Sequence, residues 1–334
     1  VYAPSIRYHD GEFYIYCGDP DRGIFMVKAA DPRGRWDDPV WVVKARGYID
    51  PCPFWDEDGK AYLSHGCAGS RAGLKSVLFV APMSEDGTRL LGASRIVYDG
   101  HETQPTIEGT KFYKKDGRYY LLMISWPRGG IRREVCYRAD HITGPYEKKV
   151  ILETPFGGLA DGVAQGTIFD DPQGNWYGFI FQDRGGVGRI PMLMPCTWID
   201  GWPMLGDKDG KVPEIMQKPV QGQERKALTV SDDFSGEKLG LWWQWNHNPV
   251  DEAWSLTERP GYLRLKTNKA VPSIYHARNT LTQRMEGPTC QATVALDLKK
   301  MKNGDVAGFS AFNSDAAVLA VTKRDGKLYL TMSE

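Results

Sequence analysis

A polar residue followed by glycine recurs four times between aromatic, strand-like runs, at Asp10-Gly11, Asp58-Gly59, Asp116-Gly117 and Gln173-Gly174. Such pairs supply the positive backbone angles that tight hairpins need. The four glycines are 48, 58 and 57 residues apart, a period in the range of propeller blades. Around the first turn lie Ser5-Ile6-Arg7-Tyr8 and Glu12-Phe13-Tyr14-Ile15-Tyr16, whose β-branched and aromatic content reads as strand. Further strand candidates follow, such as 23–28 and 41–44, giving about four strands per repeat. No amphipathic helix competes, so the expected fold is all-β with a propeller at its centre. The first repeat opens at residue 1, and the expectation is a five-bladed propeller whose first blade is missing from this chain and whose other four span residues 1–206.

Beyond Leu205-Gly206 the text becomes polar, Lys-rich and glycine-containing, and 207–228 reads as a linker. A second strand-rich region, 229–334, contains candidates at 261–266 and 291–297 with regular alternation. It is expected to form a β-sandwich, incomplete because the chain stops in an apparent strand.

Lys+Arg and Asp+Glu both count 42, so the net charge is zero and no basic stripe offers the electrostatic footprint of a nucleic-acid partner. No stretch is apolar enough for a transmembrane helix. The six cysteines, at 17, 52, 67, 136, 196 and 290, include no C-x-x-C pair, so neither a zinc site nor a redox motif is indicated and buried free thiols are expected. Compartment and oligomeric state stay open. No Walker loop, G-x-S-x-G elbow or dinucleotide fingerprint occurs.

Asp50, Glu108 and Gln165 each stand nine positions before a turn glycine. In a propeller the innermost strands line a central channel, so residues at equivalent positions should face one pit. Two carboxyl groups there, in different surroundings, can hold different protonation states, as glycosidic bond cleavage requires. Each acid also has a plain structural reading, since Asp50 precedes a proline and Glu108 a glycine at a strand end. The run Asp56-Glu57-Asp58 reads as a solvated hairpin tip. His65 and His101 lie near two strand entries, without ligand spacing.

Ile49-Asp50-Pro51-Cys52-Pro53-Phe54 with Asp58-Gly59-Lys60, and Glu108-Gly109-Thr110-Lys111-Phe112-Tyr113 with Asp116-Gly117-Arg118-Tyr119-Tyr120, resemble glycoside hydrolase family 43. Gly188-Arg189-Ile190-Pro191, Trp198 and Gly201-Trp202-Pro203 look like the last blade of its β-xylosidase and α-L-arabinofuranosidase members. Trp245-Asn246-His247-Asn248-Pro249 and the run from Ala277 to Arg284 are similar to their appended sandwich. The resemblance implies a five-bladed propeller, an inverting mechanism and an oligosaccharide substrate, with no cofactor for the chemistry. It makes Glu108 the general acid and Asp50 the carboxylate that tunes it, and puts Arg189 in the sugar pocket; Gln165, expected from its spacing to face the same pit, and His65, near a strand entry, are further candidate substrate contacts. The general base would be an aspartate on a first blade. Many relatives carry a histidine where Ala164-Gln165-Gly166 stands, holding a central cation, often calcium, which Gln165 could bind only indirectly. The reading is an exo-acting glycosidase releasing terminal arabinofuranosyl or xylosyl units from hemicellulose oligosaccharides. Two alternatives stay open, a carbohydrate-binding propeller without catalysis and an endo-arabinanase. Trp242, Trp243 and Trp245 could wall the pocket or pack in the sandwich core.

Overall fold

The computed structural model describes residues 2–334 apart from 105, 223, 225, 268, 314 and 315. Positions 223 and 225 of the expected linker therefore lie outside the described residues. Two compact units divide the chain, the first comprising Val1–Arg184 and Arg189–Gln221, the second Gly185–Gly188 and Gly222–Glu334.

Four four-stranded antiparallel sheets, each a simple meander, build the first unit. They are β1 (Tyr2–His9) to β4 (Val40–Val43), β5 (Tyr48–Trp55) to β8 (Arg95–Asp99), β9 (Ile107–Lys115) to β12 (Glu147–Leu152), and, after a small hairpin β13 (Pro155–Phe156) and β14 (Leu159–Gly162), β15 (Gly166–Asp170) to β18 (Trp202–Leu205). Between these lie β2 (Glu12–Asp19) and β3 (Gly23–Ala29), β6 (Ala61–Cys67) and β7 (Val77–Met83), β10 (Arg118–Ser125) and β11 (Arg133–Ala139), and β16 (Trp176–Asp183) and β17 (Arg189–Ile199). The helix α1 (Gly69–Ala72) is a single turn.

Near-continuous apolar runs such as 121–124 in β10 present apolar side chains to both faces, so such a sheet buries itself against its neighbours on either side. Tyr16, Met26 and Leu63 pack between the first and second sheets. Leu78, Phe112 and Leu121 do so between the second and third, and Leu122, Ile168 and Met194 between the third and fourth. Successive propeller blades pack in this way. Polar links join the same sheets near their first strands. The Arg7 guanidinium donates to Cys52 Sγ at 3.1 Å and to the Phe112 carbonyl at 3.2 Å, and the hydroxyls of Tyr113 and Thr167 bond across the next boundary.

The four turns are of two kinds. His9 pairs with Glu12 and Lys115 with Arg118, leaving two-residue hairpins in which both residues have positive φ, as type I′ turns demand. Trp55 pairs with Ala61 and Asp170 with Trp176, leaving five-residue loops. This difference shifts the register count by one. In β5 the bulge falls between Ile49 and Cys52, and in β9 Glu108 pairs with Ile124 while Lys111 pairs with Leu122. Glu108 is thus the counterpart of Ile49, and Asp50 that of Gly109, although the sequence offset of nine is shared. Asp50, Gly109 and Gln165 all adopt positive φ, at 55, 73 and 70°.

Asp56 corrects the expectation of a solvated acidic tip. Its carboxylate accepts from Lys114 Nζ and Tyr119 OH, each at 2.6 Å, and is only 2% exposed. It clamps the second sheet to the third, whereas Glu57 and Asp58 are exposed. All six cysteines are free; Cys290 is exposed, Cys17 half-buried and the other four buried. Val212, inside the stretch expected to be a linker, is buried in the core of the third and fourth sheets.

The second unit carries two short strand pairs, β19 (Gln244–Trp245) with β22 (Leu281–Thr282) and β20 (Trp254–Ser255) with β21 (Arg264–Leu265). A three-stranded antiparallel sheet follows, β23 (Val306–Ala311), β24 (Ala317–Arg324) and β25 (Lys327–Ser333). The strand expected at 261–266 contracts to two residues, and 291–297 forms none, with Val294 and Leu296 exposed. Alternation alone does not make a strand where no neighbour completes its ladder. Of the three clustered tryptophans, Trp243 stacks on Phe234 and donates to Asp232, Trp245 tilts against Trp254, and Trp242 stays exposed.

Candidate active site

The β5 bulge gives Asp50 its left-handed backbone and turns its side chain toward β9, where its Oδ2 accepts the Gly109 N–H at 2.7 Å. That bond places the Asp50 carboxylate beside Glu108. Glycine is required at 109 twice over: φ is positive, and a Cβ there would lie 2.6 Å from the Gln165 side chain. Asp50 feels the Glu108 charge. Burial first, and the Glu108 charge second, push Asp50 up to about 6, against the opposing pull of the Gly109 N–H, Lys111 and Arg189. Burial also raises Glu108, opposed by the cations Arg189, Arg132 and Lys75. Both carboxyls thus hold their protons to higher pH than free carboxylates do.

Arg189 opens β17 directly across from Asp183 on β16, with Nε 3.6 Å from Asp183 Oδ2 and its guanidinium 5.0 Å over the Phe181 ring. It is both an ion-pair partner and one of the cations whose field reaches Glu108 and Asp50. Gln165 donates its backbone N–H to Glu134 Oε2 at 2.6 Å and rests its side chain on the bare face of Gly109.

The expectation that His65 touches sugar finds no support in the geometry. Its ring is fully buried between Tyr48 and Phe79, with Nδ1 3.0 Å from the Gly66 carbonyl and Nε2 2.8 Å from Ser94 Oγ. Both nitrogens are engaged inside the second sheet, and burial lowers its pKa to about 4, keeping it neutral. His101 is exposed and paired with Asp99 at 2.5 Å.

Several site residues escaped the sequence reading. Lys111, three positions after Glu108, is buried in the hub, where burial lowers its pKa while Asp50 and Glu134 pull it back up. Glu134 is fully buried and pushed up to about 8 by that burial, and its Oε1 has no hydrogen-bond partner. Arg132 reaches Asp161 at 3.3 Å and Asp183 at 3.5 Å. The signal for Lys111 was its place in the Glu-Gly-Thr-Lys run; Arg132 and Lys75 lie on connections that carry no periodicity.

A calcium ion takes six to eight oxygen ligands. Among the described residues no group of three or more His, Cys, Asp or Glu side chains comes together to hold a metal, and the Lys111 ammonium supplies positive charge near Asp50 and Glu134. This donor set does not fit the central cation that the resemblance raised.

Residues 1–203 match the family model described as Glycosyl hydrolases family 43. The chain belongs to that family. Residues 231–334 match a second model, the Beta xylosidase C-terminal Concanavalin A-like domain. Among curated proteins, this family 43 chain is 40% identical over 305 residues to a putative beta-xylosidase of Xylanibacter ruminicola, covering 89% of the chain and 56% of that relative. It is 35% identical over 287 residues to a non-reducing end alpha-L-arabinofuranosidase of Bacteroides ovatus, covering 79% and 51%. Among solved structures, a bifunctional GH43-CE protein of Bacteroides eggerthii superposes with a TM-score of 0.84 at 36% identity, covering 99% of this chain and 43% of that one. The chain thus spans little more than half the length of these curated relatives.

Proposed function

We propose that this family 43 chain carries the proton-donating half of an inverting exo-glycosidase that releases terminal α-L-arabinofuranosyl or β-D-xylosyl units from hemicellulose oligosaccharides. The observation that carries the reading is the pairing of Asp50 with Glu108 through the Gly109 N–H. Glu108 is the general acid: less buried than Asp50 and raised by burial, it holds a proton for the departing oxygen. Asp50, bonded to the neighbouring amide, supplies the negative charge that keeps that proton in place until the bond breaks. Arg189 holds sugar hydroxyls from the opposite sheet, its guanidinium oriented by Asp183 and Phe181. Gln165 fixes the floor beside Gly109.

The reading includes a five-bladed propeller in the full-length protein, with a first-blade aspartate activating water about 6.5 to 9.5 Å from the Glu108 carboxyl, the separation inversion needs. The names of the two curated relatives support both sugars, and no organic cofactor enters. The test is hydrolysis of nitrophenyl arabinofuranoside and nitrophenyl xyloside by the full-length protein and its Glu108→Gln variant. Equal rates for the two proteins would remove Glu108 from the mechanism.

A further inference from the structure

Trp126 follows directly on β10, the strand partner of Glu108. Ile124 pairs with Glu108, and two residues later the Trp126 N–H donates to the Thr106 carbonyl at 3.1 Å, so Trp126 stands two ladder positions from the acid, and the Arg132 guanidinium over its ring is one of the cations whose field reaches Glu108. Trp126 is 43% exposed, a large share for so apolar a ring. It is also held rigid. Nε1 donates to the Gly130 carbonyl within its own loop at 3.1 Å. The Arg132 guanidinium lies over one face, 4.6 Å from the ring centroid, and is itself fixed between Asp161 and Asp183. The short hairpin β13–β14 locks that arginine: Gly162 packs so closely on the Arg132 backbone that a Cβ would lie 1.9 Å from its carbonyl oxygen. Gln182 ties the hairpin down through the Phe156 and Asp161 carbonyls. Arg132 covers one face of the indole, and the exposed area belongs to the other.

We propose that the open face of Trp126 stacks the sugar unit that leaves when the glycosidic bond is cut. The inference rests on the reading of Glu108 as proton donor. A donor to the glycosidic oxygen must sit on the leaving-group side, so an aromatic plate fixed near it borders the leaving unit rather than the sugar being released. In the arabinosidase and the xylosidase reading alike, that unit is a xylopyranose of a xylan backbone, whose flat C–H face suits an indole. Because Arg132 and Gly130 already immobilise the ring, binding costs little further ordering. Arg132 is a positioning residue here, acting on substrate through Trp126.

The experiment compares the full-length protein with Trp126→Ala and Trp126→Phe on two substrates that release the same sugar. One is xylobiose, whose leaving unit is a sugar; the other is β-D-xylosyl fluoride, whose leaving group is one atom. The Ala variant should lower the ratio of kcat/KM on xylobiose to kcat/KM on the fluoride about tenfold, chiefly through KM, and Phe should restore most of it. Equal losses on both substrates, or an unchanged ratio, would overturn the stacking. If the wild-type protein cleaves arabinofuranosides only, the same ratio is taken on arabinofuranosyl-xylobiose against α-L-arabinofuranosyl fluoride; cleavage of neither sugar's substrates would instead overturn the hydrolase reading, and the stacking with it. Unfolding midpoints of both variants separate a collapsed loop from a lost contact, since a loop collapse would not be rescued by Phe alone.

Discussion

Replacing Asp50 by Asn should stabilise the first unit while destroying activity. Asp50 titrates near 6 in the fold instead of at the ordinary 3.8, chiefly through burial and then through Glu108. Between those values the unfolded chain has released the proton that the folded chain still holds. The carboxyl therefore favours the native state below pH 4, and that contribution is lost as pH rises toward 6. At about 1.4 kcal/mol per pH unit, the gap corresponds to about 3 kcal/mol of stability given up at pH 7. Asparagine keeps an oxygen to accept the Gly109 N–H and carries no charge to desolvate. Denaturant unfolding of wild-type and Asp50→Asn protein should show the variant more stable by about 3 kcal/mol at pH 7, with the difference shrinking toward zero near pH 4. A difference that is the same at both pH values would refute the claim that a buried ionised carboxylate is being held at this position.

Other outcomes follow from the same geometry. Glu134, pushed up to about 8 by burial and only partly relieved by the Gln165 N–H and Lys111, should cost stability as pH rises from 4.5 to 8, so Glu134→Gln should flatten that part of the stability profile. Gly109→Ala should cost about 1–3 kcal/mol, because φ is +73° and the new Cβ meets Gln165, and should lower kcat by disturbing the amide that holds Asp50; unchanged thermal midpoint and rate would count against the bulge as the organiser of the site. Lys114→Met leaves Asp56 buried without its cation and should destabilise the contact between the second and third sheets by about 3 kcal/mol, read by chemical denaturation. A thiol reagent should label Cys290 quickly, Cys17 slowly and the remaining four only after unfolding, as counted by mass spectrometry.

What could be read without coordinates was local chemistry. A polar residue before glycine announces a hairpin wherever it occurs, and alternating aromatic and β-branched residues announce the strands it joins, so the repeated sheets and the pair Asp50 and Glu108 were visible in the text. The folded chain decided what stands beside what. Two-residue turns in the first and third sheets and five-residue loops in the second and fourth mean that equal distances from glycine are not equal places in the ladder. His65 lies inside a packed sheet, Asp56 is a buried clamp, and 291–297 stays unpaired, each because the partner that decides its role comes from a distant part of the chain or is not there to pair with. Glu108 and Lys111 lie on the third sheet, and Asp50 of the second comes beside them only through sheet-to-sheet approach. Hairpins depend on the angles of neighbouring residues and so can be read from order alone; charge, burial and contact depend on separations that folding creates.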